Sequence, residues 1–229
     1  MRRILIAFVA VMWLSSVVAQ KENDNTPGGS DRLVLELNWN GWMDSPDSID
    51  VQWYSRGINM YFMYDLKFGN SPISIAPGIG FGVDNIYHTG QFFYNDSVTL
   101  FLPINDSVEF KKNKLTTTYI DIPLELRYRS KPDSRNYSIK AGVGIKAGLL
   151  LGSHTKYVGE GTAFGAFQEE VKVKEHNVPE LSKFRYGLTA RIGYGPFNIQ
   201  AFYGLSGLFN EGLGPAMKPI SIGLSFNGL

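Results

Sequence analysis

The chain has 229 residues with no cysteine, 25 glycines, 14% aromatic residues, and 22 basic against 21 acidic side chains, a formal net charge of +1. That length supports a large all-β domain, and 44% hydrophobic against 19% charged residues excludes wholesale disorder. The balanced charge carries no nucleic-acid footprint, and zero cysteine excludes disulfide scaffolds, thiol catalysis and Cys-based metal centres.

In chain order, Arg2 and Arg3 precede an apolar run from Ile4 to Leu14, and Val17-Val18-Ala19 places small residues at a signal-peptidase site. A signal peptide is expected over 1–19, with cleavage between Ala19 and Gln20. Residues 20–30 are polar, contain Pro27-Gly28-Gly29, and read as a flexible periplasmic lead to one domain over 31–229. Downstream of the signal no stretch approaches the about 20 apolar residues that a membrane-spanning helix needs.

Eight segments then alternate with period 2, the mark of strands with two chemically different faces. Leu33, Leu35, Leu37 and Trp39 alternate with Glu36, Asn38 and Asn40. Ile58, Met60, Phe62, Tyr64 and Leu66 alternate with Asn59, Tyr61, Met63 and Asp65. Ile75, Ile79, Phe81 and Val83 alternate with Ala76, Gly78, Gly80, Gly82 and Asp84. Residues 118–129 set Ile120, Ile122, Leu124, Leu126 and Tyr128 against Tyr119, Asp121, Pro123, Glu125 and Arg127. Residues 137–149 set Tyr137, Ile139, Val143, Ile145 and Leu149 against Lys140, Gly142, Gly144, Lys146 and Gly148. Residues 184–194 set Phe184, Tyr186, Leu188, Ile192 and Tyr194 against Arg185, Gly187, Thr189, Arg191 and Gly193. Residues 197–206 set Phe197, Ile199 and Tyr203 against Asn198, Gln200 and Gly204, and Ile220, Ile222, Leu224 and Phe226 alternate with Ser221, Gly223 and Ser225.

An even count of eight suits a closed antiparallel barrel. The polar face is rich in glycine and in charges of both signs, which fits a narrow lumen better than a wet surface. Connections alternate in length: short at 67–72, 130–136 and 195–196, long at 43–56, 85–113, 152–183 and 210–216. Every long loop thus falls on one end, as in transmembrane barrels. Tyr64, Tyr128, Tyr137, Tyr194, Phe197 and Phe226 lie on the apolar face at the short-turn end, an interfacial girdle, and Trp39, Trp42, Tyr54 and Tyr87 are expected at the opposite rim. The fold expected is an all-β, eight-stranded antiparallel transmembrane barrel. Its mean hydropathy of −0.10 reflects two faces that cancel in the average.

The inward charges, Glu36, Asp65, Asp84, Asp121 and Glu125 against Arg127, Lys140, Lys146, Arg185 and Arg191, are equal in number. They read as a self-neutralising network, because unpaired charges in a confined lumen are costly. Across the fourth and fifth strands, Asp121 or Glu125 is expected to face Lys146 or Lys140. His88, His154 and His176 fall in long loops without triad or metal spacing, so no catalytic residue, cofactor or metal is expected. Asn95-Asp96-Ser97-Val98 recurs as Asn105-Asp106-Ser107-Val108 and is expected to flank a loop hairpin, and 164–174 is expected to extend a strand above the membrane.

The run Tyr119-Ile120-Asp121-Ile122-Pro123-Leu124-Glu125-Leu126-Arg127-Tyr128 resembles the Y-(I/L)-x-I-P-L-x-L-(K/R)-Y strand of PorT-like outer-membrane β-barrel proteins. Its signature residues here are Tyr119, Ile122, Pro123, Leu124 and Tyr128, and the glycine-rich 140–144 follows as in that family. The resemblance implies a non-enzymatic outer-membrane barrel with a structural or interaction role, linked to protein secretion; a small channel and a lipid-modifying rim enzyme are the alternatives. The implied partners are outer-membrane lipid and envelope or secretion-machinery proteins, with a monomeric barrel and no nucleic acid. In that lineage a D-(S/T)-aliphatic sequon marks O-glycosylation, and Ser48, Ser97 and Ser107 match it.

Overall fold

The computed structural model describes residues 32–227 except 70, 96–97, 106, 136 and 162–169. The signal-peptide and lead residues, with Ala19 and Gln20, and also Ser97 lie outside the described residues.

The strands are β1 (Leu33–Met43), β2 (Arg56–Met63), β3 (Leu66–Lys67), β4 (Ile73–Tyr87), β5 (Gly90–Asn95), β6 (Val98–Pro103), β7 (Phe110–Arg129), β8 (Ile139–Gly159), β9 (Val171–His176), β10 (Phe184–Tyr194), β11 (Phe197–Gly204) and β12 (Lys218–Asn227). Eight of them, β1-β2-β4-β7-β8-β10-β11-β12, pair antiparallel in that order, and β12 pairs back onto β1 to close a barrel. These are the eight alternating segments. Closure gives each of these eight strands a partner on both sides, where an open sheet in lipid would leave its edges bare.

The protein is inverted relative to a soluble domain. Ile122 is 61% exposed while its neighbour Asp121 is fully buried. The same alternation runs around the wall, with Ile58, Val143, Ile192 and Ile199 facing out and Asn59, Lys146, Arg191 and Gln200 facing in. Tyr64, Tyr128, Tyr137, Tyr194 and Phe197 are exposed on the outer face at the short-turn end. Tyr137 meets Tyr194 edge-on, and Phe226 meets Phe197 in the same way, at centroid distances of 5.6 and 5.5 Å. The tightest turn joins β10 to β11, where Gly195 has φ +60°, the left-handed value that a two-residue hairpin calls for.

Two barrel strands are longer than their alternating segments. β7 and β8 run on together well beyond the others, and a β-bulge separates the halves: Tyr119 pairs Leu150 while Thr118 pairs Gly152. The extra residue, Leu151, reverses which side of β8 faces out. A period-2 reading stops at such a bulge, which is why 118–129 and 137–149 end there. β9 pairs with the upper part of β8 over 171–176, later than the expected 164–174, of which 164–169 are outside the described residues. β5 and β6 form a separate hairpin. Asn95 and Val98 of the first copy of the repeated tetrapeptide pair with each other within this hairpin, and Ser107 and Val108 of the second lie beyond β6, so the two copies do not flank it.

Candidate functional site: the lumen and its loop cap

The lumen is filled by two connected polar clusters. Near the long-loop side, Arg185 on β10 donates from Nε to Asp121 Oδ1 at 3.1 Å and from Nη2 to Oδ2 at 2.7 Å. Its Nη1 donates to Asp84 at 2.7 Å, and Asp84 also accepts from Asn40. The guanidinium carbon lies 3.7 Å from the centroid of Tyr119. Tyr61 donates to Asp121 at 3.1 Å and accepts from Lys146 at 3.2 Å, and the Lys146 ammonium stands 4.1 Å from the centroid of Phe202.

Near the short-turn side, Arg191 bridges Glu36 and Glu125 at 3.0 Å each and donates to Asn227. Glu36 also accepts from Asn59. Arg127 continues the chain, from Nε to Glu125 at 2.8 Å and from Nη1 to Asp65 at 2.9 Å. Arg129, which is not among the inward charges expected from the sequence, reaches Asp65 at 3.4 Å and joins the network. Lys140 pairs across the hairpin with Arg129 and lines the small cavity at this mouth beside Asp65 and Arg127. That cavity offers about 20 Å³ and the next, beside Glu36 and Lys146, about 10 Å³. Spaces of this size hold single waters.

Glycines decide who meets whom. The register sets Gly148 opposite Asp121 and Gly144 opposite Glu125, while Lys146 falls opposite Pro123. The expected direct pairing of Asp121 or Glu125 with Lys146 or Lys140 is therefore corrected. On β10, Arg185 is the partner of Gly148, so its guanidinium reaches Asp121 over a strand that has no side chain there. On the other flank Gly80 separates Asp121 from Tyr61 in the same manner. Cβ atoms at Gly148 or Gly80 would collide with Asp121 or with the Met60 carbonyl.

The tyrosine–proline strand thus supplies both surfaces of the barrel. Tyr119, Asp121, Pro123, Glu125 and Arg127 face in, and Ile122, Leu124, Leu126 and Tyr128 face out. The β4–β7 pairing skips the pairs between Gly80–Asp121 and Pro77–Leu124, where Pro123 has no N–H to donate.

Above the lumen the described loop residues pack against one another. Trp42, Ile49, Ile86, Phe92, Phe101, Leu115, Val178, Leu181, Leu208, Phe209 and Met217 form one buried cluster, drawn from all four long connections and adjoining strand ends. Phe92 and Phe101, opposite each other on β5 and β6, stack at 4.4 Å. Trp42 and Tyr87 are buried, not lipid-facing, which corrects the upper rim; Trp39 and Tyr54 are exposed. Trp42 has the parity of Asn38 and Asn40, and the loops fold over it, while Tyr54 packs on Tyr87 at 4.9 Å.

His88 sits inside this cap, between Trp42, Phe92 and Phe101 at 5.1–5.4 Å. Burial lowers its pKa to about 3, so it is neutral at physiological pH. His154 and His176 pair across β8 and β9 on the outside. Among the described residues no group of three or more His, Asp or Glu side chains has metal-site geometry. Ser48 and Ser107 are exposed at the long-loop end.

Comparison with known proteins returns one domain family, described as "Outer membrane protein beta-barrel domain", whose model matches residues 29–217. No curated protein matches the chain. Among solved structures, the attachment invasion locus protein Ail of Yersinia pestis is 13% identical at a TM-score of 0.35, over 87% of this chain and 97% of that one. Ail in complex with the heparin analogue sucrose octasulfate gives 12% identity and 0.32 over the same shares.

Proposed function

Because the chain belongs to the outer membrane protein beta-barrel domain family and resides in the outer membrane, we propose that it acts there as a non-enzymatic interaction barrel. The observation that carries this reading is the double closure of the barrel. A charge-paired lumen with cavities of about 20 and 10 Å³ lies beneath a packed hydrophobic loop cap. A path for solutes would need both to be remodelled. What the cap offers outward is a folded surface, in which the β5–β6 hairpin buries Phe92 and Phe101 and exposes Phe93, Leu100 and Leu102. Such a patch on a scaffolded loop is a recognition surface.

The finer reading is a PorT-like barrel serving envelope assembly or protein secretion, supported by the tyrosine–proline strand at 119–128. The partners would be envelope or secretion-machinery proteins. The test combines planar-bilayer recording with detergent co-purification from the native envelope. Electrical silence at several salt concentrations, with a partner lost on Leu100→Ser/Leu102→Ser, is the expected result. Discrete ohmic conductance of the folded wild-type barrel would instead establish the channel.

A further inference from the structure

Above the bulge, β7, β8 and β9 form a three-stranded wall, and the register aligns like charges across it. Lys114 pairs with Lys156, and Lys156 with Lys174. One step along, Lys112 and Lys172 flank Val158; one step the other way, His154 pairs with His176. By the alternation of each strand, all of these stand on a single face. Three lysines directly opposite one another on adjacent strands repel, and a folded sheet does not place them there without compensation.

The compensation is not within the wall. Among the described residues none of these lysines is ion-paired to a carboxylate. Lys114 donates to the amide oxygen of Asn85. Glu170 is engaged by Lys111, the bulged residue, at 2.6 Å, and Glu175 alternates onto the opposite face from Lys174 and His176. The electrostatics register the crowding: burial and then Lys112, Lys156, Arg56 and Lys174 depress the Lys114 ammonium, and burial and then Lys174 and Lys114 depress His154.

Position names the counter-charge. This face continues the outer surface of the barrel, directly beyond the lipid-facing Leu149, Leu151 and Phe184. Lys156 is five residues past Leu151, about 12 Å along the axis for a tilted strand. What lies beside it is therefore the headgroup layer of the outer leaflet, not the solvent above the cap. We propose that the outer face of the β7–β8–β9 wall binds the phosphate groups of a phosphorylated glycolipid in that leaflet, with Lys114, Lys156 and Lys174 as the central contacts. Ammonium groups act on phosphate as point charges and need no fixed fork, so a row of lysines suits a mobile lipid.

The test uses the full mature chain refolded in detergent, with bis-phosphorylated lipid A and its dephosphorylated form as probes, read by native mass spectrometry and by titration. Wild-type protein should retain lipid A and ignore the dephosphorylated form. Lys114→Gln/Lys156→Gln/Lys174→Gln should weaken retention about 100-fold. Arginine at the same three positions should restore it, and Lys131→Gln in the short-turn end should leave it unchanged. Heat-modifiability on gels confirms that each variant is a closed barrel. The proposal is overturned if the folded glutamine variant retains lipid A within threefold of wild type. It is equally overturned if a soluble sulfated polysaccharide displaces lipid A at equal concentration, which would assign the face to a soluble polyanion.

Discussion

Arg185 and Asp121 are joined by two hydrogen bonds, at 3.1 and 2.7 Å, although a whole strand stands between them. The intervening residue is Gly148, and the space its missing side chain leaves is where the guanidinium crosses. A buried ion pair contributes little relative to apolar packing, but removing one partner strands the other in a low-dielectric interior. Asp121→Asn should therefore destabilise the barrel by about 3–5 kcal/mol, and adding Arg185→Met should recover part of that loss. Urea midpoints in detergent, followed by the gel shift of the closed barrel, check it; an unchanged midpoint for Asp121→Asn would show that the pair is not integral to the lumen.

The two glycines of β8 on either side of the bulge should respond oppositely. A methyl group at Gly148 would collide with Asp121 and crowd Arg185, whereas one at Gly152 meets nothing within 4 Å. Gly148→Ala should cost about 1–3 kcal/mol as overpacking, and Gly152→Ala should stay within about 0.5 kcal/mol of wild type. The same urea titrations distinguish them.

The cap should loosen in acid through His88. Its pKa is lowered in the folded protein, from 6.5 to about 3, by burial among aromatic rings. The unfolded cap thus binds a proton more readily, so the stabilisation is complete above pH 6.5 and is lost as pH falls from 6.5 toward 3, by about 1.4 kcal/mol per pH unit. Protease cleavage of the long loops should accelerate through that window while the barrel remains heat-modifiable. His88→Phe should flatten the dependence, and an equally steep profile in that variant would place the sensor elsewhere.

The cap and the barrel should also separate under mutation. Phe101 stacks on Phe92 at 4.4 Å and packs against Trp42 and His88. Phe101→Ala should cost about 3–5 kcal/mol of local stability, seen as faster hydrogen exchange over the β5–β6 hairpin. Exchange within β10 and β11 should not change. Bilayer conductance should remain absent as well, because the Arg191–Glu125–Arg127–Asp65 chain closes the lumen independently of the cap.

Alternation along 118–129, 137–149 and 184–194 already separated the lipid face from the lumen face, because in a strand the choice of face depends only on parity. Loop lengths told one end from the other, and the aromatic positions marked the short-turn interface. Trp42 was equally legible: its parity with Asn38 and Asn40 points inward, and only the attraction of a girdle at that rim obscured it. The cap was not legible, since the Phe92–Phe101 pair, Val178 and Phe209 come from three separate loops with no shared period, and only packing brings them together.

Length, composition, charge and the period-2 alternation thus determined a good deal by themselves: one all-β chain, no thiol chemistry, and a nearly equal stock of opposite charges. The partnership among those charges belonged to the tertiary structure. Which carboxylate meets which cation depends on strand register and on where a glycine lets a side chain cross, so Asp121 takes Arg185 from two strands away and Lys146 reaches it only through the Tyr61 hydroxyl. The row Lys114–Lys156–Lys174 has the same origin. Its members are far apart in the chain, and a single bulged residue, Leu151, decides that they share a face.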